Sequence, residues 1–195
     1  ETKLYQLGLD LLFLGELVEK NSSLLTTAVP VMKMLNERTK EVVSLNIIEN
    51  NERKCIYSLN SQFELTALIT AGQVSPLHAG ASAKVLLAYL PLQEQEEYLQ
   101  KAELEKITEH TITSKVELRS ELEAIRRRGY AMSNGERVRG AVSLSAPVLN
   151  PFGEVLASVT ITIPSVRLDD YNVESLVEEL LAGTEEMTNR LRPPR

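Results

Sequence analysis

The sequence predicts an α+β fold in which an antiparallel sheet is flanked by helices. Two pairs of β-favouring runs, each joined by a short turn, indicate one hairpin in each half of the chain. Apolar residues spaced three and four apart indicate amphipathic helices before, between and after the hairpins. With 195 residues, of which 43% are hydrophobic and 25% charged, the chain can form one globular domain with a sizeable core.

Charge and cysteine content exclude several classes of function. The formal net charge is −6, so the overall charge attracts neither nucleic acid nor an anionic membrane. Cys55 is the only cysteine, so no disulfide can form within the chain, and no signal peptide is recognisable. These features favour a cytoplasmic protein without membrane contact. His78 and His110 lack the neighbours of a metal site and no phosphate loop is present, so no cofactor is expected.

Two helices are predicted to open the chain. Apolar residues recur at helical spacing from residue 4 to residue 18 and cover more than one face. This helix either packs against a further domain or subunit as well as its own, or is a plain core helix. A second helix, capped by Asn21-Ser22-Ser23, is predicted to end near Lys40, with a kink or restart at Pro30.

The first predicted hairpin joins residues 41–49 to residues 53–60 through the turn Asn50-Asn51-Glu52. Cys55 falls inside the second of these strands, where it is expected to be a small buried apolar side chain. A third short strand is predicted at residues 64–70.

Small residues begin the next predicted helix. The run at residues 79–83 opens a helix that continues to Leu90, where Pro91 stops it. The N–H groups of such a helix start can hold a carboxylate. The alternative is that the small residues serve only tight packing of the helix on the sheet.

The following stretch indicates three more helices. Residues 93–106 are predicted to form a charged outer helix, and the capping box at residues 114–117 begins a helix that ends at Gly129. The arginines at residues 126–128 share that helix with several glutamates, which favours an ordinary charged face over a phosphate-binding patch. A last helix is predicted to begin near Asp169-Asp170.

The second predicted hairpin turns at residues 150–153, with Leu149 opposite Glu154 as the last pair. Alternation then gives the ladder one apolar face and one face of small hydroxyls. The hydroxyl face pairs Ser145 with Ser158, Ser143 with Thr160 and Ala141 with Thr162. A neutral face of this kind indicates the wall of a small-molecule pocket, or else a packed Ser/Thr face that binds nothing.

Several stretches resemble the effector-binding domain of the IclR family of bacterial transcription regulators. They are PLHAGASAKVLLAYL (76–90), ELRSELEAIRRRGYAMSNGER (117–137) and GAVSLSAPVLNPFGEVLASVTITIP (140–164). Residues 5–15 resemble the linker helix that follows the winged helix-turn-helix of that family. The resemblance divides the chain into a linker helix at residues 1–20 and an effector-binding domain at residues 21–195.

The resemblance implies a GAF-like antiparallel sheet of about six strands with helices packed around it. It further implies a homodimer or homotetramer without enzymatic activity. A small effector, usually carboxylate-bearing or aromatic, would alter the affinity for DNA, and only a DNA-binding domain outside this chain would contact DNA.

The family's pocket residues can be carried over to positions of this sequence. The helix start of the family's pocket corresponds to Ala81 and Ser82 beside Gly80. A position that is often acidic corresponds to Ser133, and one that is frequently cysteine corresponds to Ser143. Two hydroxyls of the last strand correspond to Thr160 and Thr162. Ala83 also replaces a usual glycine. Because the acid and the thiol are both serine here, a neutral pocket is predicted, suited to a small organic acid or sugar acid.

Two other functions remain open from the sequence. The domain could serve oligomerisation alone and retain a vestigial pocket. His78 and Ser82, four residues apart, could instead form the base and nucleophile of a hydrolase, although no strained turn of the G-x-S-x-G kind supports this.

Overall fold

Six antiparallel strands form one sheet in the order β3-β2-β1-β6-β5-β4. The computed structural model describes Gly8 and residues 10–191. The strands are β1 (Val42–Glu49), β2 (Glu52–Leu59), β3 (Val74–Pro76), β4 (Ala131–Asn134), β5 (Ala141–Leu149) and β6 (Val155–Pro164). The helices are α1 (Asp10–Asn21), α2 (Ser23–Thr39), α3 (Ala81–Ala88), α4 (Leu92–Lys101), α5 (Lys115–Arg128) and α6 (Val173–Arg190). The α+β class and the six-stranded GAF-like sheet are therefore confirmed.

The two faces of the sheet are covered by different helices. On the apolar face, side chains of β1, β5 and β6 pack against α2 and α6 in the main core. On the other face, α3 lies over β5 and β6 and is backed by α5 in a second core cluster. Because α3 covers the hydroxyl face, that face is enclosed within the domain.

The register of the second hairpin differs from the predicted one by two residues. Ser143 pairs with Thr162 and Ser145 with Thr160. Two causes add: the Asn150 N–H donates to the Glu154 carbonyl, which shortens the loop by one residue, and a bulge after Val148 adds another shift. Each one-residue shift alone would exchange the two faces. The two shifts together return each side chain to its predicted face, so the five hydroxyl side chains still lie on one face of the hairpin.

Three predicted elements were misplaced. Residues 64–70 do not form a strand; the Arg167 side chain donates to the Leu65 carbonyl, and the third strand is β3. At Asp169-Asp170, where the last helix was predicted to begin, the chain forms a 3-10 turn. The helix α6 begins after Asn172, whose side chain caps it. The charged helix α4 ends at Lys101.

The predicted first helix is only partly covered by the described residues. Residues 1–7 and Leu9 lie outside them, and α1 accounts for the rest. Pro30 lies within α2, which is assigned as one continuous helix. Asn50 and Asn51 both have positive φ, as the two-residue turn of the first hairpin requires.

Gly183 marks the closest approach of α6 to α2. A Cβ at this position would lie 2.8 Å from Val31 Cγ1. In a free helix, Gly→Ala stabilises by about 1 kcal/mol. Here we expect Gly183→Ala to lower the free energy of unfolding by about 1–2 kcal/mol, because overpacking outweighs the gain in helix propensity. Urea unfolding measures this, and adding Val31→Ala should recover part of the loss; an unchanged or higher stability of the single variant would contradict the packing.

Candidate functional site

A cavity lies between the start of α3 and the hydroxyl face of the sheet. Its volume is about 20 Å³, which is room for roughly one water molecule. All the residues predicted for the site line this cavity: Gly80, Ala81, Ser82, Ser133, Ser143, Thr160 and Thr162. Segments far apart in the sequence therefore meet at one place, as the hairpin parity and the family motif both predicted.

The hydroxyl face carries a connected hydrogen-bond network. Ser143 Oγ lies 3.2 Å from Thr162 Oγ1, and Ser145 Oγ lies 2.8 Å from Thr160 Oγ1. Ser158 Oγ donates to the Ser82 carbonyl at 3.3 Å. Ser145 and Ser158 do not line the cavity, whereas Ser143, Thr160 and Thr162 do. Part of the hydroxyl face therefore only packs within the domain, and the other part borders the cavity.

The first amides of α3 are already occupied. Gly80 has a φ of 90°, and its N–H donates to Glu136 Oε2 at 3.0 Å. The Ala81 N–H donates to Ser133 Oγ at 3.1 Å. The expectation that these amides are free to bind a ligand is therefore wrong. In the described part of the chain, the amides of Ser82 and Ala83 have no acceptor and are the available donors.

A buried ion pair fixes the helix start to the loop after β4. Lys84 is 1% exposed, and its Nζ lies 2.6 Å from Glu136 Oε1 and 3.4 Å from Glu121 Oε1. Glu136 thus contacts both Lys84 and the Gly80 amide through its two oxygens. The carboxylate holds the helix start and the loop together.

Arg53 brings a positive charge into the cavity. It is 1% exposed; Nε donates to Ser75 Oγ at 2.9 Å and Nη1 to Asn46 Oδ1 at 3.0 Å. Within the described residues, its buried Nη2 has no hydrogen-bond partner. Burial, followed by the charge of Arg137, lowers the pKa of Arg53 to about 10, so the group remains charged at neutral pH.

Arg137 is a second guanidinium at the same cavity. It lies in the loop at residues 135–140 between β4 and β5, is half-buried, and packs against Gly80. Burial lowers the pKa of Arg137 as well. The prediction of a neutral pocket is therefore wrong: serine does replace the family's acid and thiol, but charge enters from neighbouring segments.

Sequence reasoning missed part of the lining. The additional polar residues are Ser44, Asn46, Arg53, Glu136 and Arg137. Two of them carried a signal, because Ser44 and Asn46 alternate within an otherwise apolar strand, and such a pair indicates a shared polar face. The sequence gives no sign that the two arginines reach the cavity, since their positions depend on strand pairing and on the path of a loop.

The hydrolase alternative is not supported by the geometry. His78 lies before the start of α3, with Nδ1 3.4 Å from the Tyr98 hydroxyl and Nε2 3.0 Å from the Glu105 carbonyl. Both ring nitrogens are thus engaged away from Ser82. No group of three or more His, Cys, Asp or Glu in the described residues could hold a metal ion. None of the helices described is long and apolar enough to cross a membrane.

The fold and the polar cavity define the class of a GAF-like α+β domain with a polar cavity between sheet and helix. The family model for the bacterial transcriptional regulator IclR C-terminal region matches residues 17–189. The chain therefore belongs to the IclR C-terminal family, whose members are transcription regulators and not enzymes.

Relatives agree along nearly the whole chain. The regulator KdgR of Dickeya chrysanthemi is 30% identical over 98% of this chain, which spans 63% of the length of that relative. The structure of the Thermotoga maritima IclR protein superposes with a TM-score of 0.88 at 29% identity, over 94% of this chain and 74% of that one. An IclR homologue from Microbacterium hydrocarbonoxydans, complexed with 4-hydroxybenzoate, has a TM-score of 0.83 at 26% identity, over 95% and 75%.

Proposed function

We propose that this domain senses a small organic acid for an IclR-type regulator and binds it between α3 and the hydroxyl face. One observation carries the proposal: the buried guanidinium of Arg53 borders the cavity with Nη2 unpartnered in the described structure. A buried polar group without a partner is costly, and native structures contain few of them, so this nitrogen calls for a partner from outside the chain. A carboxylate is the natural partner of a guanidinium.

The other contacts of the acid come from neutral donors. Ser143, Thr160 and Thr162 line the cavity with their hydroxyls, and Ser82, whose amide has no acceptor in the described structure, lines it as well. A homologue complexed with 4-hydroxybenzoate, a hydroxylated carboxylic acid, supports this class of effector. Because the cavity holds about 20 Å³, an effector enters only if lining side chains move. Arg137, which is half-buried and is followed by the exposed residues 138–140, is the lining side chain that we expect to move.

The regulatory output requires parts beyond the cavity. Residues 1–20 serve as a linker to a DNA-binding domain, and residues 21–195 form the effector-binding domain. α1 contributes no buried residue in the described chain and exposes Leu12, Phe13 and Val18, which supports contact with a second subunit in a dimer or tetramer. Effector binding biases the arrangement of the subunits and thereby the affinity for DNA.

The site is tested with a leucine at Ser143. A panel of small mono- and dicarboxylic acids, sugar acids and 4-hydroxybenzoate is first screened by the shift in melting temperature, and hits are measured by calorimetry. We expect Ser143→Leu to weaken binding of a hit by about tenfold or more, because the side chain fills the cavity and removes a donor. The matched control, Ser120→Leu on the exposed side of α5, should bind as the unaltered protein does.

The small volume favours a second candidate, an oligomerisation domain with a vestigial cavity. This candidate predicts no thermal shift with any acid and an unchanged oligomeric state in Ser143→Leu. Equal binding by Ser143→Leu and the unaltered protein would instead show that the acid binds elsewhere.

A further inference from the structure

The acidic side chains next to the cavity are already paired with cations. Glu136 contacts Lys84 Nζ at 2.6 Å, and Glu121 accepts from Arg128 Nη2 at 2.9 Å. Lys84 Nζ also lies 3.4 Å from Glu121. The charges of the two carboxylates are balanced by those of Lys84 and Arg128. This cluster therefore has no net negative charge that could compensate other groups of the cavity.

Arg53 and Arg137 are the remaining charged side chains of the lining, and both are positive. Arg53 has its two other nitrogens bonded to neutral partners, which leaves the full charge uncompensated. Arg137 takes part in none of the ion pairs found among the described residues. The side chains that line the cavity thus contribute two positive charges that no carboxylate of the described residues compensates.

We propose that the effector of this cavity is a small dicarboxylate, with one carboxylate on the free Nη2 of Arg53 and the second on Arg137. The inference rests on the proposed function and adds the class of effector. A single carboxylate would neutralise only one guanidinium and leave a like charge buried beside it, which is costly. Two acidic groups satisfy both: one carboxylate accepts from the free Nη2 of Arg53, and the other forms a charge-assisted pair with the guanidinium of Arg137.

The position of Arg137 suits a group that closes over a ligand. Its Nε would lie 3.8 Å from a Cβ at Gly80, which is van der Waals contact, so the side chain of Arg137 rests against the start of α3. The backbone of the preceding residue is held by Thr108 and Thr111, which donate to the Glu136 carbonyl. Arg137 follows this fixed point on the exposed part of the loop, so its side chain can move outward and return onto a bound acid.

Matched diacids and monoamides test the inference. Succinate, glutarate and terephthalate are compared by calorimetry with succinamate, glutaramate and 4-carbamoylbenzoate at constant ionic strength. We expect the best-fitting diacid to bind about ten- to hundredfold more tightly than its monoamide, because the amide removes one charge-assisted contact. Inorganic phosphate, a dianion without a carbon skeleton, is the third probe and should bind more weakly than that diacid.

A substitution of Arg137 tests whether this residue binds the second carboxylate of the diacid. In Arg137→Gln, the affinity for the diacid should fall until it is close to the affinity for the monoamide, while the affinity for the monoamide changes little. The matched control is Arg139→Gln in the same loop, where the side chain is 74% exposed and paired with Glu109. It should keep the ratio between the two affinities that the unaltered protein shows.

The outcomes separate the two proposals. Monoamides that bind as tightly as the diacids, or a preference for phosphate over every diacid, would overturn the dicarboxylate assignment and leave the acid-sensing function standing. If no acid binds at all, both proposals fall. A ratio unchanged in Arg137→Gln would overturn the placement of the second carboxylate.

Discussion

Glu41→Ala is expected to lower the free energy of unfolding by about 3–5 kcal/mol, because it breaks a buried ion pair from one side. Glu41 is fully buried and accepts from Arg167 Nε at 2.7 Å and Nη2 at 3.0 Å. The Tyr171 hydroxyl donates to the same carboxylate at 3.1 Å. The variant removes the only negative charge that pairs with the Arg167 guanidinium in the described structure and leaves Arg167 Nε without an acceptor, although the carbonyls of Leu65 and Thr39 still accept from Arg167 and Tyr171.

Urea unfolding followed by circular dichroism measures the loss. The matched control is Glu109→Ala, which removes an exposed carboxylate paired with Arg139 and should leave stability unchanged within error. A loss below about 1 kcal/mol for Glu41→Ala would mean that the buried pair is worth no more than a surface pair. Such a result would contradict the role of Glu41 in holding the turn after β6 to the start of β1.

The second large effect is expected at the pair beneath the cavity. Glu136→Gln should cost about 3 kcal/mol, because a neutral amide replaces the nearer carboxylate and Glu121, at the longer distance, becomes the only negative charge that contacts the buried ammonium of Lys84 in the described structure. The double variant Lys84→Met with Glu136→Gln should be clearly more stable than Glu136→Gln alone, since it also removes the stranded charge.

A double-mutant cycle in urea separates this coupling from general damage. Lys101→Met serves as the control, because Lys101 is an exposed residue paired with Glu97 and the substitution should have no measurable effect. Additive losses in the cycle would show that Lys84 and Glu136 do not depend on each other. Strong coupling would show that the loop after β4 is fastened to α3 by charge.

The elements that the sequence predicted well are those set by local signals. Ser114 caps α5 and Gly129 ends it with a positive φ, as their residue types indicated. The turn at Asn50-Asn51 forms the first hairpin. The hydroxyl face could also be predicted, because alternation alone decides it and the two register shifts cancel.

What the sequence could not predict depends on contacts between distant segments. Arg53 reaches the cavity because β2 lies beside β1, whose Asn46 holds the guanidinium. Arg137 reaches it because Glu136 and the threonines at positions 108 and 111 anchor the loop. Neither arrangement has a periodic pattern in the sequence, so the charge of the cavity appeared only in the folded structure.

The pairing of β1 with β6 affects how the chain folds during synthesis. Val42 pairs with Thr162 and Asn46 with Ser158, so the middle of the sheet joins residues more than a hundred positions apart. Translation adds roughly 5–20 residues per second, so the edge of β1 that pairs with β6 stays unpaired for on the order of ten seconds before β6 leaves the ribosome. An unpaired strand edge is prone to aggregation. We therefore expect the yield of correctly folded protein to depend on how long this edge stays unpaired during synthesis.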